Sequence, residues 1–130
     1  MVVYIRQANT ADTELIRALT REAYAKWVPV IGREPLPMTA DYDKALQEHR
    51  FDLLYADGVL SGLIEMIVLS DHLLIENVAV LPAFQGRGFG RRLLAHAEAV
   101  AAVLGFAEIR LYTNAAFTEN LSFYDRLGYV

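Results

Sequence analysis

The fold of this chain is decided by Leu73-Leu-Ile-Glu-Asn-Val-Ala-Val-Leu-Pro-Ala-Phe-Gln-Gly-Arg-Gly-Phe-Gly-Arg-Arg-Leu-Leu94. Residues Leu73 to Val80 are mostly apolar and predict a buried strand, which Pro82 ends. A helical pattern begins after Gly90 and continues to Leu104. The stretch therefore predicts a strand, a glycine-containing loop and a helix in succession.

The loop of this stretch is suited to an anion. Three glycines at alternate positions leave the backbone N–H groups unshielded and permit positive φ angles: Gly86, Gly88 and Gly90. The first N–H groups of a helix lack intrahelical partners, and the helix dipole makes that end positive, which favours a phosphate. Three arginines add full positive charges: Arg87, Arg91 and Arg92.

The spacing of the loop weakens two common nucleotide motifs. A Rossmann fingerprint needs a third glycine where this chain has Arg91, and a P-loop needs Lys followed by Ser or Thr. The pattern Gln85-x-x-Gly88-x-Gly90 after a strand instead resembles the acetyl-coenzyme A signature of the GCN5-related N-acetyltransferases, the GNAT superfamily. The alternatives are a glycine-rich turn without a ligand, or a loop that binds another nucleotide.

The resemblance implies a binding site for acetyl-coenzyme A (acetyl-CoA). In that family the loop holds the diphosphate, and the strand before it pairs with the pantetheine arm. The residues implied to bind the cofactor are Val78, Ala79, Val80, Gln85, Gly86, Arg87, Gly88, Phe89, Gly90, Arg91 and Asn120. A domain that binds CoA or an acyl-CoA without catalysis would show the same loop.

A second motif, Asn120-Leu-Ser-Phe-Tyr-Asp-Arg-Leu-Gly-Tyr129, resembles the closing helix of the family. The resemblance makes Tyr124 the general acid that protonates the leaving thiolate. The family often has Asn seven residues before this Tyr, where this chain has Phe117. The alternative for Tyr124 is a buried helix tyrosine.

The chemistry implied by the resemblance is direct attack of a primary amine on the thioester. A free alkylamine has a pKa near 10.4, so fewer than about one molecule in a thousand is neutral at pH 7 and a proton acceptor is needed. Glu76 is the predicted acceptor, with a chain of waters as the alternative. Backbone N–H groups near Val78 to Val80 would stabilise the oxyanion. We expect packing or solvated roles for His49, His72 and His96.

The acceptor pocket is expected beneath the stretch from Val28 to Met38, whose prolines and Gly32 exclude a regular helix. In the family this region overhangs the acceptor. The candidates for substrate contact are Tyr24, Trp27, Arg33, Met38 and Tyr42, with plain packing as an equal alternative. Arg33 would recognise an acceptor carboxylate, or else pair with Glu34. The sequence does not identify the acceptor.

The whole chain follows the GNAT order, β-α-α-β-β-β-α-β-α, and predicts one α/β domain with a mixed sheet over residues 1–130. The predicted strands are Val2 to Arg6, Phe51 to Tyr55, Val59 to Leu69, Leu73 to Val80 and Phe106 to Tyr112. The predicted helices start at Thr10 or Asp12, at Thr39 or Asp41, at Arg91 and at Glu119. An Asp57-Gly58 hairpin and a Gly105 helix stop complete the pattern.

Composition limits the class of protein. The net charge of −4 and the pI near 5.3 argue against general nucleic-acid binding. The absence of cysteine excludes a thiolate nucleophile and a cysteine-ligated metal, and we expect no metal. No apolar run reaches the roughly 18 residues of a membrane span, so we expect a soluble cytoplasmic protein without a membrane partner.

The chain stops at Val130, shortly after Gly128, whereas family members continue through two more strands. We therefore expect an open edge on the strand from Phe106 to Tyr112. Either this chain is a shortened form, or a second copy covers that edge in a homodimer, and the acceptor pocket of an isolated monomer is incomplete.

Overall fold

The computed structural model describes residues 2–25, 29 and 41–111, the last without its side chain. Its strands are β1 (Val3–Gln7), β2 (Arg50–Ala56), β3 (Val59–Val68), β4 (Leu73–Val80) and β5 (Ile109–Leu111). Its α-helices are α1 (Thr13–Tyr24), α2 (Tyr42–Glu48) and α3 (Phe89–Val103). Short 3₁₀ turns at Thr10–Asp12 and Pro82–Phe84 precede α1 and the glycine loop.

One sheet contains the five strands in the order β1-β2-β3-β4-β5. The pairs from β1 to β4 are antiparallel, and β5 returns parallel to β4 after the crossover through α3. The predicted mixed α/β sheet and its meander are confirmed. The hairpin between β2 and β3 has φ angles of 50° at Asp57 and 80° at Gly58, as a type I′ turn requires.

Each face of the sheet covers its own apolar core. The α3 side includes Leu54, Ile64, Met66, Leu73, Ile75, Leu93, Leu94 and Ala97. The side of α1 and α2 includes Ile16, Leu19, Ala23, Tyr42, Phe51, Leu53 and Leu63. The three interior strands β2, β3 and β4 contribute to both cores and form the centre of the fold.

Several predicted boundaries differ from the structure. Helix α3 begins at Phe89, before the predicted Arg91, because Gly88 at φ 79° already serves as its N-cap. Asn9 caps the 3₁₀ turn before α1, and its side chain accepts from the N–H of Ala11. Asp12, one of the two predicted caps, occupies the N-cap position of α1 but makes no side-chain cap bond there. Leu15, near the start of α1, is 45% exposed although it is apolar. The predicted helix from Glu119 lies outside the described residues.

A buried carboxylate ties α3 to the sheet. Asp52 of β2 is 1% exposed and faces the α3 side. Its Oδ1 lies 3.0 Å from Nε of Arg50, and its Oδ2 is bonded to Nε2 of His96 on α3. His96, predicted to be solvated or packed, therefore holds the long helix through a side-chain hydrogen bond.

A second ion pair fixes the start of α1. The carboxylate of Asp12 lies 2.8 and 2.9 Å from the guanidinium of Arg6, and it also accepts from the N–H of Asn9. The hydrogen bond from Arg6 lowers the pKa of Asp12 below its ordinary value of 3.8. Arg6 also donates to the hydroxyl of Tyr55, so one guanidinium joins β1, β2 and the entry to α1.

We predict that Asp12→Asn lowers the free energy of unfolding by about 1–2 kcal/mol at pH 7, because a charge-assisted bond is lost while Arg6 remains partly solvated. A lowered pKa means that this stabilisation is present above pH 3.8 and is lost as the pH falls through the folded-state pKa. Urea unfolding at several pH values measures both effects. Glu14→Gln, which removes an exposed partner of Arg17, should cost less than about 0.5 kcal/mol; an equal loss in both variants would contradict the prediction.

Candidate active site

Within the described residues, part of one edge of strand β4 has no strand partner. It pairs with β3 from Leu73 to Val80, but it pairs with β5 only from Leu73 to Ile75. Among the described residues, no strand covers the other edge from Glu76 to Val80. Backbone groups there are therefore available to an extended ligand, which would add to the sheet as a strand does. The predicted cofactor residues Val78, Ala79 and Val80 lie on this edge.

The glycine loop leads from that edge to the start of α3. Gly86 and Gly88 adopt φ angles of 81° and 79°, which only glycine reaches without strain. The N–H of Arg92 bonds to the carbonyl of Gly88 at 3.0 Å, so the N–H groups of Phe89, Gly90 and Arg91 precede the intrahelical ladder. Gly88 makes no side-chain cap, and these groups are open to an anion.

Side chains brace the loop internally. Nε2 of Gln85 donates to the carbonyl of Val80 at 3.1 Å. The rings of Phe84 and Phe89 stack with centroids 6.1 Å apart, and the guanidinium of Arg87 lies 5.4 Å from the centroid of Phe84. Gln85 therefore connects the loop to the end of β4, and the stack connects the loop to α3.

No carboxylate of the described residues compensates the positive charge of the loop. Its three arginines are exposed, and none forms an ion pair with a carboxylate of the described residues: Arg87, Arg91 and Arg92. Free N–H groups, a helix N-terminus and three such cations are the features that bind a diphosphate. The residues present fit the predicted cofactor.

A β-bulge interrupts β4 where the open edge begins. Glu65 pairs with Asn77, but Met66 pairs with Ile75, so Glu76 is an extra residue without an opposite partner. Ile75 packs on the α3 side, whereas the side chain of Asn77 reaches Tyr24 of α1. The bulge thus resets the alternation of the strand and brings Asn77 to the face of α1 and α2.

Glu65 is a buried carboxylate on that face and is not among the predicted site residues. It is 7% exposed, and its Oε2 lies 2.6 Å from Nδ1 of His49, the residue that ends α2. Burial raises the pKa of Glu65, the bond to His49 opposes this, and the charge of Glu76 adds to it. The sequence signal that could have identified Glu65 is that it is the single acid within the apolar run of β3.

Tyr24 and Tyr42 occupy different positions on this face. Tyr24 is 6% exposed; its hydroxyl donates to Oδ1 of Asn77 and lies 3.3 Å from the carbonyl of Val78. Tyr42 is 1% exposed, and burial raises its pKa to about 12. Its ring packs edge-on against Phe51 inside the core. Of these two, only Tyr24 reaches β4 at the bulge.

Other predicted site residues fall on parts of the chain that the structure does not describe: Trp27, Arg33, Met38, Asn120 and Tyr124. Their roles stay predictions. Within residues 2–25 and 41–111, no group of three His, Asp or Glu side chains is placed to hold a metal ion. No helix of the described part is long and apolar enough to cross a membrane.

The fold and the loop together define an acetyltransferase of the GNAT class. The sequence model of the acetyltransferase (GNAT) family matches residues 14–129, and the chain belongs to that family. The predicted family is therefore confirmed.

Known proteins similar to this chain agree in fold. The PaiA N-acetyltransferase of Thermoplasma acidophilum, solved with coenzyme A, superposes with a TM-score of 0.86 at 23% identity over 98% of this chain and 89% of that one. An aminoglycoside N-acetyltransferase in complex with CoA gives 0.75 at 22% identity, over 99% and 88%. N-alpha-acetyltransferase 80 of Mus musculus is 46% identical over 57 residues, which are 44% of this chain and 17% of that protein.

We predict that Glu65→Gln stabilises the protein at neutral and higher pH relative to the wild type. A raised carboxyl pKa means that stability is fully present below the ordinary value of 4.5 and is lost as the pH rises through the folded-state pKa, and glutamine cannot ionise. Thermal unfolding at pH 4 and pH 8 should show the difference growing with pH. Glu22→Gln, on the exposed surface of α1, is the control; a pH-independent difference for Glu65→Gln would refute the assignment.

Proposed function

We propose that this protein transfers the acetyl group of acetyl-CoA to a primary amine. The observation that carries the proposal is the open edge of β4, which runs from the cationic glycine loop to the carboxylates at the bulge. The cationic loop suits the polyphosphate of the cofactor, and the carboxylates suit the ammonium group of an acceptor. We also retain cytoplasmic location and association through the β5 edge as predictions of the sequence.

The chain offers a separate group for each part of the cofactor. The N–H groups of Phe89, Gly90 and Arg91, with the arginines of the loop, would hold the diphosphate. The backbone of β4 from Val78 to Val80 would pair with the amide-bearing arm. Acetyl-CoA, when bound, supplies an acetyl thioester, whose C–S bond is exchanged for a C–N bond to the amine.

The bulge supplies the groups that handle the proton. An ammonium approaching from the face of α1 and α2 meets Glu76 beside the open edge and Glu65 on the next strand. Glu76 is half-buried and is our proposed proton acceptor, while Glu65, bonded to His49, lies behind it on β3. Tyr124 is the proposed general acid and rests on the family resemblance alone.

Ligand choice and turnover test the proposal. Acetyl-CoA at a hundredfold its dissociation constant should add about 2.7 kcal/mol of stability, and NAD and ATP at equal concentrations should add much less. Release of the CoA thiol should then depend on an added primary amine. Glu76→Gln should lower turnover about 10²- to 10⁴-fold without changing acetyl-CoA affinity. Binding without amine-dependent release would identify a non-catalytic CoA-binding domain instead.

We predict that Gly88→Ala weakens acetyl-CoA binding about tenfold or more, because a side chain at φ 79° strains the N-cap and shifts the N–H groups that meet the diphosphate. Gly105→Ala is the matched control. Gly105 has φ 82° at the other end of α3, and an added Cβ has no atom within 4 Å at either glycine. Both variants should lose similar thermal stability, but only Gly88→Ala should lose affinity in calorimetry. Equal affinities would remove the loop from the binding site.

A further inference from the structure

Asn77 carries a hydrogen-bond donor that nothing in the described structure uses. The residue is 5% exposed, and its Oδ1 accepts from the hydroxyl of Tyr24. Its Nδ2 is buried and has no partner among the described residues. A buried amide N–H without a partner destabilises a fold, and because such groups are rare in native proteins this one calls for a functional explanation.

The position of Asn77 brings this donor close to the carboxylates. Asn77 lies directly opposite Glu65 in the antiparallel pair of β3 and β4, where facing Cβ atoms are about 4.5–5.5 Å apart. It also follows Glu76 in the bulge. Tyr24, which lies near the carbonyl of Val78 as well, holds the amide from the side of α1. The donor of Asn77 and the carboxylate of Glu65 therefore share the face from which an amine would approach, and Glu76 lies next to Asn77 in the strand.

The mixed chemistry of this face suits a mixed ligand. Carboxylates attract an ammonium group, but they have no hydrogen-bond donor for an oxygen of the ligand. The amide of Asn77 is the complementary group, since Nδ2 only donates. An amine with an oxygen on the neighbouring carbon would satisfy both, whereas a hydrocarbon amine would leave Nδ2 without a partner.

We propose that Nδ2 of Asn77 donates a hydrogen bond to the acceptor, so that the protein selects primary amines with a hydroxyl or carbonyl oxygen on the carbon beside the amine-bearing carbon. The inference rests on the proposed function and names the class of its substrate. Asn77 is then a specificity-determining residue. It discriminates between acceptors because the correct one pairs a buried donor and the oxygen-free one does not.

Kinetics with matched amines test this assignment. Alaninol and sec-butylamine differ by one hydroxyl in place of a methyl group, and alaninamide presents a carbonyl oxygen instead. Asn77→Leu keeps the branched shape and removes the donor. It should lower kcat/KM about three- to tenfold for the preferred oxygenated amine and less than about twofold for sec-butylamine. For each amine, the kcat/KM of the variant is divided by that of the wild type. Comparing these ratios between amines cancels differences in the basicity of the amines.

The oxygenated amine whose kcat/KM falls more in Asn77→Leu shows whether Nδ2 pairs with a hydroxyl or with a carbonyl oxygen of the acceptor. If Asn77→Leu does not fold, Asn77→Asp assayed at pH 8 takes its place in the comparison, because it keeps an oxygen that accepts from Tyr24. The same loss for all three amines, or wild-type kcat/KM as high for sec-butylamine as for the oxygenated amines, would overturn the inference. If the wild-type protein binds acetyl-CoA but acetylates none of the three amines, this inference is overturned and the proposed function is not. Failure to bind acetyl-CoA would overturn the proposed function, and this inference with it.

Discussion

The backbone of β4 imposes the constraint on which the site depends. Each buried N–H and C=O group of a strand needs a partner, and β3 supplies partners on one side over the full length of β4. On the other side, among the residues that the structure describes, β5 supplies them as far as Ile75. The rest of that edge lies in the middle of the sheet, between two cores, where an added strand-like ligand completes the hydrogen bonding.

Charge is distributed along this edge in two parts. The end near α3 carries three arginines that pair with no carboxylate in the described part of the chain, whereas Glu65 and Glu76 lie at the bulge, on a protein whose net charge is −4. A ligand that is anionic at one end and receives a cation at the other matches both. The separation also keeps the acids away from the phosphate-binding groups, which they would otherwise neutralise.

Local patterns predicted most of the fold, and contacts distant in sequence account for the differences. The bounds of β4, the hairpin at Asp57 and the helix stop at Gly105 follow from neighbouring residues, and each is confirmed. The bulge at Glu76 depends on the register against β3, which no single strand encodes. The bond between Glu65 and His49 joins two elements through the fold, so its partners were invisible in the sequence. The loop residues were predictable because glycine spacing is itself a local signal.

The hydrogen bond between Asp52 and His96 affects the free energy with which an anion would bind at the start of α3. A helix that rests on an apolar face alone can rotate or slide by small amounts, but a buried carboxylate bonded to its third turn sets its rotation about the axis. The N–H groups at the start of α3 then point in one direction before any anion arrives. Little conformational entropy remains to be lost on binding, so the sheet preorganises the helix end.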